Sequence, residues 1–319
     1  MQRHMQGIIL TNQTPLDNYK LSSYSLSYQF MAFNWKTFRT RTLTAIIFAA
    51  VMLAGLLWNH WSFLVLFSII HFGCWWEYFN LLEKINNTTY HRYTRIGFML
   101  IGYGLMLLFC DRAFQVDNYQ LNQNFSLPIS LAGFVILGLG IFQTKKISLK
   151  VFGIAALGLF YISLSWGLMM SLRQHGIVFK DNSSIIDFGI LPPLAIIFSI
   201  WINDTMAYVV GSLIGKTPLS KISPKKTWEG TIGGMILAII TMGLIAWSTN
   251  YDVLSVMIIA AISSAIGTLG DLLESKLKRM ADVKDSGNIM PGHGGFLDRF
   301  DSLLLAIPAV WLYVFLFMR

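Results

Sequence analysis

Between Ser275 and Asp301 the chain reads SKLKRMADVKDSGNIMPGHGGFLDRFD, a polar stretch set between two long apolar runs. With Asp271 and Glu274 just before it, the stretch interleaves five cations (Lys276, Lys278, Arg279, Lys284, Arg299) with six anions (Asp271, Glu274, Asp282, Asp285, Asp298, Asp301). Hard cations take carboxylate oxygens and phosphates take Lys and Arg, so this mixture points to a metal and phosphate site more than to a basic anchor. Asp271 and Glu274 lie three apart and share a helix face, a spacing suited to a hard cation or to a lysine partner. Asp298 and Asp301 repeat the spacing at the start of the last apolar run. They follow a glycine turn around His293, which reads as a turn histidine, a phosphate donor or a general base.

Two further clusters precede the stretch. Asn203-Asp204, with Tyr208, Gly211, Gly215 and Lys216, lies near the end of one apolar run. An ionisable group inside such a run is costly, which makes Asp204 a functional candidate, although a carboxylate reaching back to the interface would look the same. Ser223-Pro-Lys-Lys-Thr-Trp-Glu-Gly230 leads into the next run, and Ser223-Pro224 reads as an N-cap and first helical residue. Free N–H groups there, with Lys225 and Lys226, would attract an anionic phosphate; two lysines that only orient the span are the simpler alternative. If the last two spans are neighbours, Asp271, Asp298 and Asp301 gather around Mg²⁺, which favours a few carboxylates plus substrate phosphates and water.

The elements that must position these residues are membrane helices. The chain has 319 residues, 55% of them hydrophobic and only 13% charged, far from soluble usage. Apolar runs of roughly 20 residues suit ~30 Å of hydrocarbon, whereas barrel strands would be about half as long and alternate in polarity. Nine spans are expected, at 43–58, 61–83, 95–110, 128–143, 150–172, 187–214, 230–248, 253–274 and 302–318, making an all-α polytopic membrane protein. They divide into a cytoplasmic N-terminal extension (1–42), an N-terminal five-span region (43–172) and a C-terminal four-span region (173–319) carrying the 275–301 stretch.

With the N-terminus inside, every Lys and Arg except Arg112, Arg173, Lys180 and Arg319 falls on the inner side. That positive-inside bias puts the polar clusters at the cytoplasmic ends of the last four spans, and it accounts for the net charge of +8 without nucleic acid. Cys74 and Cys110 lie in or at the end of apolar runs, which leaves neither a disulfide framework nor a zinc site.

Ser275-Lys-Leu-Lys-Arg279, Lys284-Asp-Ser-Gly287, Pro291-Gly-His-Gly-Gly295 and Leu297-Asp-Arg-Phe-Asp301 closely resemble the signature of the phosphatidate cytidylyltransferases, or CDP-diacylglycerol synthases. Asp204-x-x-Ala-Tyr208, Ser223–Gly230 and Gly270-Asp-x-x-Glu-Ser275 look like further blocks of that family in the expected order. Before them only Trp76-Glu77 is familiar, and Met290 stands where the pattern has Leu, Ile or Phe.

The resemblance implies an enzyme of phospholipid biosynthesis in a bacterial plasma membrane. It would convert CTP and phosphatidate to CDP-diacylglycerol and pyrophosphate with Mg²⁺, beside which a second cation such as K⁺ is bound, and such enzymes are often homodimers. It also implies Asp271, Asp298 and Asp301 as metal ligands and catalytic residues, with Lys284 and His293 beside them. Ser223, Lys225, Lys226, Lys278, Arg279, Arg299 and Asp204 would hold substrate. A CTP-dependent kinase of a membrane polyprenol or phytol is the alternative enzyme. A transporter would carry its ionisable groups nearer the midplane, in paired repeats that this sequence lacks.

Overall fold

The computed structural model describes residues 35–318 except 112, 144–147, 176, 182–183, 188 and 290–293. Nine helices run through them: α1 (Trp35–Leu57), α2 (His60–Asn86), α3 (Arg92–Leu108), α4 (Leu121–Gln143), α5 (Leu149–Gln174), α6 (Leu191–Ile214), α7 (Trp228–Ser248), α8 (Val253–Met280) and α9 (Leu297–Phe317). Two short antiparallel hairpins complete the described chain, β1 (Gln115–Val116) with β2 (Tyr119–Gln120) and β3 (Ile177–Asp181) with β4 (Ser184–Asp187). The second occupies the connection from α5 to α6.

Each expected span corresponds to a helix, but the nine are not equal. Among the described residues seven helices, α2 and α4 to α9, are long and apolar enough to cross a membrane. At ~1.5 Å per residue, α3 with its 17 residues falls short of ~30 Å, and the apolar part of α1 is confined to Thr42–Leu57. Helix α1 begins at Trp35, inside the extension expected at 1–42.

Three boundaries differ from the sequence expectation in ways that matter for the site. Helix α8 continues to Met280, six residues beyond the expected end, with Lys278 and Arg279 in its last turn. Cations there complement the partial negative charge of the helix end. Helix α9 starts at Leu297 and not 302, so Asp298 and Asp301 belong to its first turns.

The third difference corrects the expected cap at Ser223. Helix α7 begins at Trp228, and its N-cap is Thr227, whose side chain accepts the Gly230 N–H at 3.1 Å. Backbone bonds from Leu219 N–H to the Lys226 carbonyl (2.7 Å) and from Trp228 N–H to the Thr217 carbonyl (2.9 Å) close residues 217–228 into a loop. The Glu229 carboxylate ties down that loop by accepting the Lys216 and Thr217 N–H groups at 3.1–3.2 Å. These pairings satisfy the backbone better than another helical turn would, despite the local cap grammar of Ser223-Pro224.

The core lies mainly between α2, α3 and α5 and is aromatic. Trp75, Trp166, Phe63, Phe67 and Phe79 are fully buried there, with Phe67 and Trp166 ring centroids 5.0 Å apart. Some of the polar groups buried in it are paired: Ser163 Oγ receives Trp75 Nε1–H at 2.8 Å and faces His71 Nε2 at 3.0 Å. Helix α9 is fastened to this core by Trp166 against Phe300 (5.7 Å) and by the Ser165 hydroxyl donating to the Leu304 carbonyl at 2.6 Å. Helix α8 then packs on α9 at Gly270, where a Cβ would stand only 2.5 Å from the Asp301 carbonyl oxygen.

The loops sort to two ends of the bundle. At one end Asn80, Glu83, Lys84 and Thr88 share a polar cavity with Asp285–Asn288. At the other, His175 Nε2 lies 3.0 Å from the Met318 carbonyl, and His175, Leu191 and Asp252 line a common apolar cavity.

Candidate functional site

A cavity of about 500 Å³ opens between α6, α7 and α8. Helix α6 contributes Asn203, Asp204 and Tyr208 to its wall, the loop before α7 contributes Lys225 and Lys226, and α8 contributes Thr268 and Asp271. Three clusters far apart in sequence therefore meet around one space. Lys226 is ion-paired with Asp271, whose other oxygen is 3.3 Å from Ser275 Oγ. Asn203 is 3% exposed, and its Oδ1 is a buried acceptor with no hydrogen-bond partner, while its Nδ2 lies 3.4 Å from Asp204. Burying an amide oxygen unpaired costs about 1–3 kcal/mol, and the expense is typical of a place where a ligand or ion completes the bonding.

A second polar centre lies at the facing ends of α8 and α9. Lys278 Nζ bridges two carboxylates, Glu274 one turn earlier on α8 at 2.5 Å and Asp298 on α9 at 2.7 Å. Glu274 is fully buried, with the Lys278 ammonium as the cation beside it. The remaining oxygen of Asp298 accepts Ser286 N–H and Gly295 N–H, each at 2.8 Å, and lies 2.9 Å from Ser286 Oγ. Asp298 thus folds the signature loop back onto the helix that follows it.

Glu77 reaches the same loop from α2. It is 5% exposed and accepts Phe296 N–H and Leu297 N–H, each at 2.9 Å, and the Ser286 hydroxyl at 2.7 Å.

The structure places the sequence candidates unequally. Asp204, Lys225, Lys226 and Asp271 line the cavity, and Lys278 and Asp298 form the second centre. Asp301 stands between the two, one turn beyond Asp298 on the stretch of α9 that touches Gly270, and its own carboxylate accepts the Ser302 N–H at 2.6 Å. Ser223 is half-buried in the 217–228 loop, where its carbonyl accepts the Lys226 N–H at 3.1 Å. Arg279, Lys284 and Arg299 are exposed. His293 lies outside the described residues.

Asp271 and Glu274 both realise the lysine-partner reading of their spacing. Among the described residues no group of three or more His, Cys, Asp or Glu side chains is gathered to hold a metal, so Asp271, Asp298 and Asp301 do not form a ready-made cluster. Sequence reasoning missed Ser286 and Thr268. It noticed Glu77 only as a familiar point, although a lone carboxylate inside an aromatic-rich span already marked a costly group.

The model of the cytidylyltransferase family matches residues 39–317. The chain is similar to proteins named phosphatidate cytidylyltransferase in several bacteria. It is 36% identical over 171 residues to that of Bacillus subtilis, covering 52% of this chain and 59% of the relative. To that of Staphylococcus saprophyticus it is 32% identical over 235 residues, 72% of this chain and 84% of the relative. To that of Aquifex aeolicus it is 42% identical over 120 residues, 37% of this chain and 45% of the relative.

Proposed function

The chain belongs to the cytidylyltransferase family, and from that premise we propose that this nucleotidyltransferase joins CTP to phosphatidate at the α6–α8 cavity, giving CDP-diacylglycerol and pyrophosphate. The observation that carries the placement is the meeting of Asp204, Lys225, Lys226 and Asp271 around one 500 Å³ space. Carboxylates alternating with lysines suit a triphosphate and its counter-cation better than an uncharged solute.

The donor chemistry fits a divalent metal. Asp271 and Asp298 each already hold a cation, the ammonium of Lys226 and of Lys278, and Asn203 offers an oxygen without a partner. Asp271, Asp298 and Asp301 would hold Mg²⁺, with Asn203 and Asp204 at its margin. When bound, the metal supplies neutralisation of phosphate charge and polarisation of the α-phosphorus.

Lys226 and Lys278, displaced from their carboxylates, turn to phosphate oxygens. A phosphate oxygen of phosphatidate forms the new bond to the CTP α-phosphorus as the bond from that phosphorus to the β-phosphate's bridging oxygen breaks. The electron pair leaves with pyrophosphate, and the lysines balance its charge. No proton has to move in that exchange, so positioning and charge carry the rate.

All nine helices cross the membrane in this reading. The end holding the cavity, the α2–α3 loop and the signature stretch faces the cytoplasm of a bacterial cell, in accord with the lysines gathered there.

Incubation of the purified protein with CTP, phosphatidate and Mg²⁺ tests the activity, with CDP-diacylglycerol and pyrophosphate expected by mass. Release of CDP with phosphorylation of an added polyprenol, and no cytidylylated lipid, would replace this reading by a kinase.

A further inference from the structure

Glu77 lies on α2, outside the three helices that bear the cavity, and 209 residues before the first group it binds. Its partners are all in or next to the signature stretch. One oxygen accepts Phe296 N–H, and the other accepts Leu297 N–H together with the Ser286 hydroxyl. A helix begins with N–H groups that its own backbone leaves unpaired, and α9 has no side-chain cap at Phe296. Glu77 supplies the missing cap from another helix, its negative charge lying where the partial positive charge of α9 is greatest. The fit is close enough to fix the sequence opposite: at Gly295 a Cβ would stand 2.2 Å from both Glu77 oxygens.

The same contacts lead on to charged residues of the site. The Ser286 hydroxyl lies 2.7 Å from Glu77 and 2.9 Å from Asp298, and Asp298 in turn holds Lys278 at 2.7 Å. A shift of the loop away from α2 would move Asp298 and, through it, the Lys278 ammonium.

We propose that Glu77 is a positioning residue for the reaction, clamping residues 286 and 295–297 against α2 so that Asp298 and Lys278 stand at the geometry turnover needs. The inference rests on the reading of the site as a centre of cytidylyl transfer. Glu77 touches no reacting atom in this account, so its loss should lower kcat and leave substrate KM values nearly unchanged.

The test uses the purified full-length chain as wild type, Glu77→Gln, Glu77→Asp, Ser286→Ala and the Glu77→Gln/Ser286→Ala double variant. Glutamine keeps the shape but turns a donor toward backbone donors. It is expected to lower kcat by roughly 10–100-fold, the usual cost of losing a group that orients a catalytic ligand. KM for CTP and for phosphatidate should stay within ~3-fold of wild type. Amide hydrogen exchange over residues 295–300 should quicken at least ~10-fold, as expected where capping bonds open locally, with the rest of the chain and the melting temperature unchanged. Aspartate should recover part of the loss, and the double variant should cost less than the product of the single ones, since both act through the same loop.

Wild-type kcat in Glu77→Gln, unchanged exchange over 295–300, or aspartate no better than glutamine would each overturn the proposal. If Glu77→Gln does not fold, Glu77→Asp and Ser286→Ala carry the test, and wild-type turnover in both would overturn it. A wild-type protein that makes no CDP-lipid would defeat the functional reading instead. The exchange measurement would still decide whether Glu77 clamps the loop.

Discussion

Between α2, α3 and α5 the space is filled with rings, whereas between α6, α7 and α8 it is left open and lined with charge. Both regions are built from apolar helices, and in lipid neither gains from withdrawing apolar surface from water. The first coheres by packing, its ring pairs worth about 0.5–1.5 kcal/mol each beyond ordinary contact. Some of its polar atoms pair internally, as Trp75 does with Ser163, while others such as Trp166 Nε1 have no hydrogen-bond partner. The second keeps Asn203 Oδ1 unpaired, holds Asp271 through Lys226 and Ser275, and so contains groups whose bonding a ligand can complete or exchange. The contrast is one of filling: aromatic packing closes one region, and charged side chains surround an open space in the other.

That division predicts its largest effect at the shared carboxylates. Asp271→Asn and Asp301→Asn are each expected to lower turnover on the order of 10³-fold or more, the scale seen when a group that stabilises transition-state charge is removed. Membrane insertion and melting temperature should stay near wild type. Formation of CDP-lipid in a purified assay measures the first and a detergent melting curve the second. Near-normal Mg²⁺-dependent activity in either variant would break the comparison, because that carboxylate would then belong to the fold. Chelation of divalent metal should mimic the loss, and added Mg²⁺ should reverse it.

Much of this division was legible before the fold was known, because polar residues in apolar spans are expensive and therefore informative. Asp204, Asp271 and the 275–301 stretch announced themselves in that way, and hydropathy alone marked every helix. What could not be read was decided by partners distant in sequence. The start of α7 was misplaced at Ser223 because capping grammar is local, while backbone pairing of Leu219 with Lys226 and of Thr217 with Trp228 set the true boundary. The continuation of α8 to Met280 placed Lys278 one turn beyond Glu274 on the helix itself, where charge runs suggested a loop. Asp298 was legible as a ligand candidate but not as the acceptor that folds the signature loop, since Ser286 and Gly295 come to it only through the turn.

A smaller effect is expected at Lys226. Lys226→Gln removes one cation from the cavity and leaves Asp271 in place, so kcat/KM for CTP should fall by about 10²-fold, in line with the loss of one charge-assisted contact of ~2–3 kcal/mol. Raised Mg²⁺ should recover part of it, because the freed carboxylate then binds metal without competition from the ammonium. A fall of the same size in Lys225→Gln would blur the comparison, since Lys225 lines the cavity but is exposed.

The smallest effect on chemistry is expected from the packed region, where it sharpens the contrast by its sign. Trp75 is fully buried, lies 5.5 Å from Phe79 between ring centroids and donates to Ser163. Trp75→Phe deletes the donor and part of the ring, which leaves Ser163 with His71 as its remaining partner and opens a small void. Loss of the hydrogen bond and of packing together should lower unfolding free energy by roughly 1–3 kcal/mol. The folded fraction should turn over within about 2-fold of wild type, because the wild-type ring donates to Ser163 inside the α2–α5 core while the candidate site residues lie on α6 to α9 and the loop before α7. Thermal melting in detergent with kcat measured well below the transition separates the two. A large drop in kcat at unchanged stability would mean that the packed half tunes the cavity directly, through α2, which carries Glu77 half a turn beyond Trp75, or through the contacts of Trp166 and Ser165 with α9.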